Sequence, residues 1–200
     1  MGRKVVILLL GCVVIAGATV TIWTVYIKRD TPAVNINTQA TQKLAEDSLT
    51  GLSLHYGEPL KLEVLSPQDQ KDKFIFRMSS KEPAMLISVR YEDGLRTISS
   101  LAKQEPLELL LGNIDKAYPQ RFPGYSLSNE HKLKVDGKSA AELIFTYKGP
   151  NGELAKQRQY IVMKDGDMAI IVSTQSKGND FESLNNKYFT PLLMSLHFKK

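Results

Sequence analysis

The chain has 200 residues, of which 42% are hydrophobic and 24% are charged, so a globular fold is expected and disorder throughout is excluded. Its formal net charge is +5, but no basic run is longer than Lys28-Arg29 or Lys199-Lys200. Nucleic-acid binding needs lysines and arginines clustered on one face and is therefore not expected. The single cysteine, Cys12, lies in the N-terminal apolar segment, so the rest of the chain must fold by core burial without disulfides.

The first element is an uncharged stretch from Val5 to Ile27, which lies between Arg3-Lys4 and Lys28-Arg29. About 20 apolar residues at 1.5 Å each span the roughly 30 Å hydrocarbon core of a bilayer. Trp23 and Tyr26 lie at its far end, where amphipathic rings favour the membrane interface. The pattern predicts one transmembrane helix that acts as a signal-anchor, with the membrane as the first partner of this chain.

Two other interpretations of this segment remain open. Ala16-Gly17-Ala18 offers a small-x-small cleavage site of the kind that follows a signal peptide, and Leu9-Leu10-Gly11-Cys12 resembles a lipobox. All three interpretations place the remaining chain across the membrane. A short basic head before a long soluble tail favours a single-pass protein of the cell membrane with an extracytoplasmic C-terminal domain.

The chain divides into an anchor over residues 1–29, a flexible linker over 30–51 and a soluble domain over 52–200. The linker is poor in large apolar residues and rich in Thr, Asn and Gln, which suits a solvated spacer. Within it, Ala40 to Leu49 is expected to form one exposed helical segment.

The first half of the domain contains strands and one helix. Apolar residues alternate over 52–56 and again over 60–64, on either side of a turn at Gly57-Glu58-Pro59, and two further strands are predicted over 74–76 and 85–89. A helix is predicted to begin at Pro106 and to end at Pro119. Its apolar positions have helical spacing and are Leu107, Leu110, Leu111, Ile114 and Tyr118.

The second half is predicted to be an antiparallel meander followed by a helix. Turns are expected at Asp136-Gly137, at 150–152 and at 165–167, with strands over 141–147, 160–163 and 168–172 between and after them. The last two strands are apolar on both faces, so helices are expected on both sides of the sheet. Asp180 is expected to cap a final helix that Thr190-Pro191 restarts or kinks, and 196–198 is expected to return to the sheet.

The stretch from Val135-Asp136-Gly137-Lys138 through the paired strands to Ser195-Leu196-His197-Phe198 resembles the PsbP-like superfamily. This group includes the extrinsic photosystem II protein and bacterial envelope proteins such as DcrB. The resemblance covers roughly Leu52 to Lys199 and includes no catalytic motif. It implies an α+β fold, an α-β-α sandwich around an antiparallel sheet, which binds other macromolecules rather than catalysing a reaction.

The sequence contains no complete motif for catalysis, metal binding or cofactor binding. Gly137-Lys138-Ser139 matches the end of a phosphate-binding loop, but its first glycine would fall at Lys132. His55, His131 and His197 are too widely spaced for a metal motif. No catalytic residue, metal ligand or cofactor is therefore assigned.

Aromatic side chains on the predicted strands offer the one candidate for a ligand site. Phe145, Tyr147 and Tyr160 are candidates to line a cavity between sheet and helix, although core packing also explains them. The first hypothesis is a membrane-anchored, non-enzymatic accessory domain that binds a protein partner in an envelope complex. The alternative is an envelope domain that binds a small molecule or lipid in such a cavity. An enzyme whose catalytic residues are scattered along the chain stays a third possibility.

Overall fold

The computed structural model describes residues 42–199 and two short strands, β1 (Val14–Ile15) and β2 (Ala18–Thr19), which pair with each other. The other residues of the predicted anchor lie outside the described part. Gly17 of the predicted cleavage site and Cys12 of the predicted lipobox are among them. None of the described helices has the length and apolar character that crossing a bilayer requires. Residues 39–200 form one compact unit, and residues 1–38 form a separate one.

The remaining elements follow along the compact unit from residue 43 to residue 198. They are β3 (Lys43–Glu46), β4 (Leu52–Tyr56), β5 (Lys61–Leu62), α1 (Pro67–Lys71), β6 (Phe74–Lys81), β7 (Ala84–Glu92), α2 (Leu95–Ala102), α3 (Pro106–Arg121), β8 (Ser126–Val135), β9 (Lys138–Lys148), β10 (Leu154–Met163), β11 (Ala169–Lys177), α4 (Phe181–Leu184), a π-helical turn (Asn185–Phe189), α5 (Thr190–Met194) and β12 (His197–Phe198).

A seven-stranded antiparallel sheet in the order β5-β6-β7-β11-β10-β9-β8 is the centre of the fold. The predicted meander forms its larger half, with β8 to β11 joined by hairpins at the expected turns. At the first of these turns, Asp136 and Gly137 both have positive φ, 48° and 75°, which suits the right-handed twist of a hairpin. Strand β8 before this turn, and helices α1 and α2, were not predicted from the sequence.

A second sheet in the order β12-β4-β3 packs beside the first. The helix predicted over Ala40 to Leu49 is wrong, because Lys43–Glu46 pairs with β4 as a strand. The folded part thus includes residues that the sequence pattern placed in the linker. The C-terminal residues do return to a sheet, but Phe198 pairs with Leu52 in the small sheet and not with the meander.

Helices α2 and α3 cover one face of the large sheet. All five apolar residues predicted for α3 are buried, with exposed fractions of 4–8%. They pack on Leu143, Phe145 and Ile161 of the sheet. The sequence predicted that α3 ends at Pro119, but the helix continues to Arg121. Proline at this position only removes one hydrogen bond near the C-terminal end, where the helix is closing.

The C-terminal segment and the small sheet cover the opposite face. Phe181, Leu184 and Phe189 pack there with Leu54 and Val172 of the two sheets. Asp180 occupies the predicted cap position, although its side chain makes no capping hydrogen bond. Residues 190–191 restart the helix as predicted, with α5 beginning at 190. The α+β class and the antiparallel sheet are therefore confirmed, and the second outer layer contains a small sheet as well as helices.

Candidate functional site

Two concave surfaces lie on the α3 side of the large sheet. The first, the polar cleft, lies beside the C-terminal end of α3 and has a volume of about 150 Å³. Its lining comprises Phe74, Leu86, Ser88, Arg90, Tyr118, Arg121, Phe122, Gln157, Gln159, Ser173 and Gln175. It opens into an outer compartment of about 340 Å³, which shares Phe74, Arg90 and Arg121 with it and adds Lys71, Asp72, Lys73 and Glu92.

The second surface, the lysine groove, lies at the N-terminal end of α3 and has a volume of about 560 Å³. It is lined by Glu105, Pro106, Leu107, Glu108, Lys132, Leu133, Lys134, Lys138, Ser139, Ala140, Met163, Lys164, Asp165 and Gly166. An apolar floor with a charged rim is the usual composition of a site that binds a peptide or a partner surface.

A buried hydrogen-bond chain forms the floor of the polar cleft. The Tyr118 hydroxyl donates to Oε1 of Gln159 at 2.8 Å, and Nε2 of Gln159 donates to Oγ of Ser173 at 3.0 Å. Burial raises the pKa of Tyr118, while the bond to Gln159 and the charges of Arg90 and Arg121 oppose the rise. The hydroxyl therefore keeps its proton at physiological pH and holds the glutamine in one orientation.

Two arginines stand at the junction of the polar cleft with its outer compartment. Arg90 forms an ion pair with Glu92 at the outer rim and is about one quarter exposed. The guanidinium carbon of Arg121 lies 5.7 Å from the ring centre of Phe122. Among the described residues that line the inner cleft, none is acidic. The inner cleft therefore has polar walls, and its uncompensated positive charge comes from Arg121, because Glu92 pairs with Arg90.

Ion pairs and backbone contacts hold the rim of the lysine groove. Lys132 Nζ lies 2.6 Å from Glu108 Oε1, which connects β8 to the first turn of α3. Lys138 Nζ donates to the carbonyl oxygen of Lys164 at 2.9 Å, which fixes the opposite side. The groove lining thus contains four lysines and three acids, Glu105, Glu108 and Asp165, around an apolar floor, so lysines outnumber acids by one.

Strand β8 forms one wall of the lysine groove and ends the large sheet. It pairs with β9 on one side, and no described strand pairs with its outer edge. Most of its ten residues are exposed, including His131 and Lys132, and Leu133 is half-buried. An edge strand of this length offers a row of backbone donors and acceptors to an added strand, while its charges disfavour self-association.

The three aromatic residues proposed from the sequence do not share a face of the sheet. Phe145 is fully buried and Tyr147 almost so, and both pack in an aromatic cluster under α3 with Tyr118 and Phe122. Tyr160 lies on the other face, next to the core beneath the C-terminal helices. The polar cleft has Tyr118 and Phe122 of this cluster in its wall, but none of the three proposed residues.

The residues that line the polar cleft were missed at the sequence level, although a signal was present. On β10 and β11 the positions that face α3 change from Ile161 and Ile171 to Gln159 and Ser173, and then to Gln157. When the alternate positions of a strand that face the core change from apolar to polar, a polar cavity is indicated, because burial of amides without partners is costly.

The three histidines lie on different strands, His55 on β4, His131 on β8 and His197 on β12. His131 Nδ1 lies 3.2 Å from Glu142 Oε2, and His197 Nδ1 lies 3.1 Å from Asp136 Oδ2. In the described part of the chain, no three His, Cys, Asp or Glu side chains group closely enough to hold a metal ion.

Comparison with known proteins assigns the fold. No family profile and no curated protein matches the sequence. The structure is similar to that of the cyanobacterial PsbP protein (CyanoP) of Synechocystis sp. PCC 6803, with a TM-score of 0.53 at 13% identity, over 84% of this chain and 99% of that one. It is similar to LpqN of Mycobacterium tuberculosis, with a TM-score of 0.54 at 14% identity, over 82% of this chain and 93% of that one.

The domain therefore has the PsbP-like fold, and the resemblance read from the sequence is confirmed at that level. Identities below 15% leave the ligand and the partner to the residues of this chain, because one fold serves many functions.

Proposed function

We propose that this chain is a non-enzymatic accessory domain, held outside the cytoplasm by its N-terminal segment, which binds a protein partner of an envelope complex. The observation that carries the proposal is the edge of β8 that no described strand covers, beside the lysine groove. An extended segment of the partner adds to β8 through backbone hydrogen bonds, and its apolar side chains enter the groove.

The charges around the groove select the partner. Lys134 and Lys164 lie on its rim in addition to the paired Lys132, and the rim carboxylate of Asp165 already accepts two backbone hydrogen bonds. The bound segment therefore places an acidic residue against these lysines. Rim charges of this kind mainly raise the rate of association and exclude wrong partners. Leu107 and Met163 in the floor supply the apolar contact that gives the complex its lifetime.

The location outside the cytoplasm is supported by the sequence and by one neighbour. The uncharged run from Val5 to Ile27 is long enough to span a bilayer. LpqN, which shares the fold, is described as involved in cell envelope biogenesis of M. tuberculosis.

Site-specific photo-crosslinking in living cells tests the partner. A photoreactive amino acid replaces Lys134, which is exposed on β8, and in a matched control it replaces Val64, which is 98% exposed beyond β5 at the opposite edge. We expect one discrete crosslinked product from position 134 and none from position 64. Equal products at both positions, or none at 134, would contradict the proposed surface.

Labelling of intact cells tests the location separately. Val64→Cys is introduced in a Cys12→Ser background, so that the new thiol is the only one in the chain. We expect a membrane-impermeant maleimide to modify it before lysis. Modification only after the membrane is broken would place the domain in the cytoplasm and refute that part of the proposal.

A second candidate function is supported by the polar cleft. A cavity between the sheet and α3 exists, as small-molecule binding requires, but its lining is mostly polar. The polar lining favours a hydrophilic ligand over a lipid, because a lipid chain leaves buried amides without hydrogen bonds.

A further inference from the structure

The polar cleft interrupts a face of the sheet that is otherwise apolar. Under α2 and the first turns of α3, the sheet presents Ala169 and Ile171, and Ser173 and Gln175 follow on the same strand. The neighbouring strand β10 changes in the same way at the same level. The polar residues of three adjacent strands thus meet in one cavity rather than facing open solvent.

Two glutamine side chains that line this cavity, Gln157 and Gln175, make no hydrogen bond to another described residue. Gln157 is only 6% exposed, and its side chain lines the cleft. Gln159 beside it bonds to Tyr118 and Ser173, whereas no hydrogen bond joins the side chain of Gln157 to another described residue. The amide atoms of Gln157 are not among the described side-chain atoms that are fully enclosed without a partner, so they face the cavity, where a ligand would bond to them.

The charge of the cavity specifies the other part of the ligand. Arg90 and Arg121 both line the inner cleft and its outer compartment, so their guanidinium groups stand at the entrance. Arginine pairs with planar oxyanions through two parallel hydrogen bonds, which suits a carboxylate. Glu92 in the outer compartment pairs with Arg90, whereas no described acidic residue pairs with Arg121, so Arg121 supplies the uncompensated positive charge.

The size of the cavity limits the rest of the ligand. About 150 Å³ corresponds to the space of roughly five water molecules, which suits a small organic acid. Phe74 and Phe122 supply apolar wall for a short carbon skeleton.

We infer that the polar cleft binds a small carboxylic acid that also carries hydroxyl or amide groups. The carboxylate pairs with Arg90 and Arg121 at the entrance. The hydroxyl or amide groups bond to Gln157 and Gln175 inside. This site lies at the opposite end of α3 from the lysine groove, so it adds a ligand to the domain and does not depend on the protein partner.

Ligand-observed NMR on the purified full-length protein tests the inference. The probes are malate, glutamate and galacturonate, with malamide, glutamine and galactose as uncharged counterparts and inorganic phosphate as a competing anion. The variants are Arg121→Gln and Arg90→Gln, and the matched control is Arg96→Gln, an exposed arginine on α2 outside the cleft. Because Arg121 is exposed at the end of α3, its replacement leaves the fold intact, as circular dichroism would verify.

The inference predicts that at least one acid binds, that its uncharged counterpart does not, and that binding weakens by about tenfold or more in both cleft variants. Binding in Arg96→Gln should equal that of the parent. Failure of all three acids to bind the parent, or equal binding in all variants, would overturn the site. Displacement of the acid by phosphate at equal concentration would overturn the assignment of a carboxylate as the bound group.

Discussion

Replacement of Arg158 by leucine should destabilise the domain strongly, because Glu142 would stay buried without its cation. Arg158 Nε donates to Glu142 Oε1, and the two side chains are only 15% and 5% exposed. Nη1 of the same arginine donates to Asn185 at 2.9 Å and to Thr190 at 3.1 Å, one at each end of the π-helical turn. One side chain therefore connects β9 and β10 to the C-terminal helices.

The magnitude follows from the burial of the pair. Removal of one partner from a buried ion pair costs about 3–5 kcal/mol. His131 Nδ1 remains 3.2 Å from the other carboxylate oxygen of Glu142, so we expect the lower end, about 3 kcal/mol. A domain of this size loses about 2–4 °C of Tm per kcal/mol, which gives a fall of about 6–12 °C.

Thermal unfolding followed by far-ultraviolet circular dichroism measures this loss, since the only tryptophan, Trp23, lies outside the described fold. The double variant Arg158→Leu with Glu142→Leu should recover most of the lost Tm, because neither charge remains. As a control, Lys156→Leu removes a pair with the exposed Glu182 and should cost less than about 1 kcal/mol. An unchanged Tm in Arg158→Leu would show that this ion pair does not stabilise the fold.

Three further predictions concern stability. Phe145→Ala should cost about 3–5 kcal/mol in urea unfolding with an unchanged m-value, because the ring is fully buried under α3; a loss below 1 kcal/mol would contradict this packing. Tyr118→Phe should cost about 1–3 kcal/mol by the same measurement, since the carbonyl oxygen of Gln159 loses its buried donor. Hydrogen bonds from Ser66 lower the pKa of Asp69 to about 2, so its contribution to stability is complete above the ordinary aspartate pKa of about 3.9 and is lost as the pH falls through about 2. Asp69→Asn should therefore lower Tm at neutral pH and flatten the fall of Tm between about pH 5 and pH 2; parallel curves for the two proteins would be the contrary result.

The sequence predicts those helices and strands in which buried apolar residues recur at regular helical or strand spacing. Helix α3 buries every apolar residue chosen from its spacing, because one face of the helix meets the sheet along its whole length. Strand β8 was not predicted because Ser126 to Lys132 are all exposed, and apolar residues alternate only at its end, at Leu133 and Val135. Helix α2 was not predicted for a related reason, since its apolar residues Ile98 and Leu101 stay exposed.

Long-range pairing explains the other errors. Nothing in the local sequence of Lys43–Glu46 shows that it pairs with β4. The other strand that pairs with β4, β12, lies more than 140 residues further along the chain. The pairing register of β9 and β10 places Phe145 and Tyr160, two of the proposed site residues, on opposite faces of the sheet. Phe145 faces Gln157 across the hairpin and Tyr160 faces Glu142, so parity places Tyr160 on the opposite face from Phe145. That register depends on the length of the connecting turn, which a sequence pattern fixes only to within a residue or two.

Hydrogen exchange tests whether the partner binds along the edge of β8. It is measured on the domain alone and in complex with the partner captured at position 134. Backbone amides of Ser126–Val135 should become protected in the complex, because an added strand bonds to the edge of β8 that no described strand covers. Amides of Lys61–Leu62, at the opposite edge of the same sheet, should exchange at unchanged rates. Protection confined to other elements, with β8 exchanging as in the free domain, would contradict partner binding along this strand.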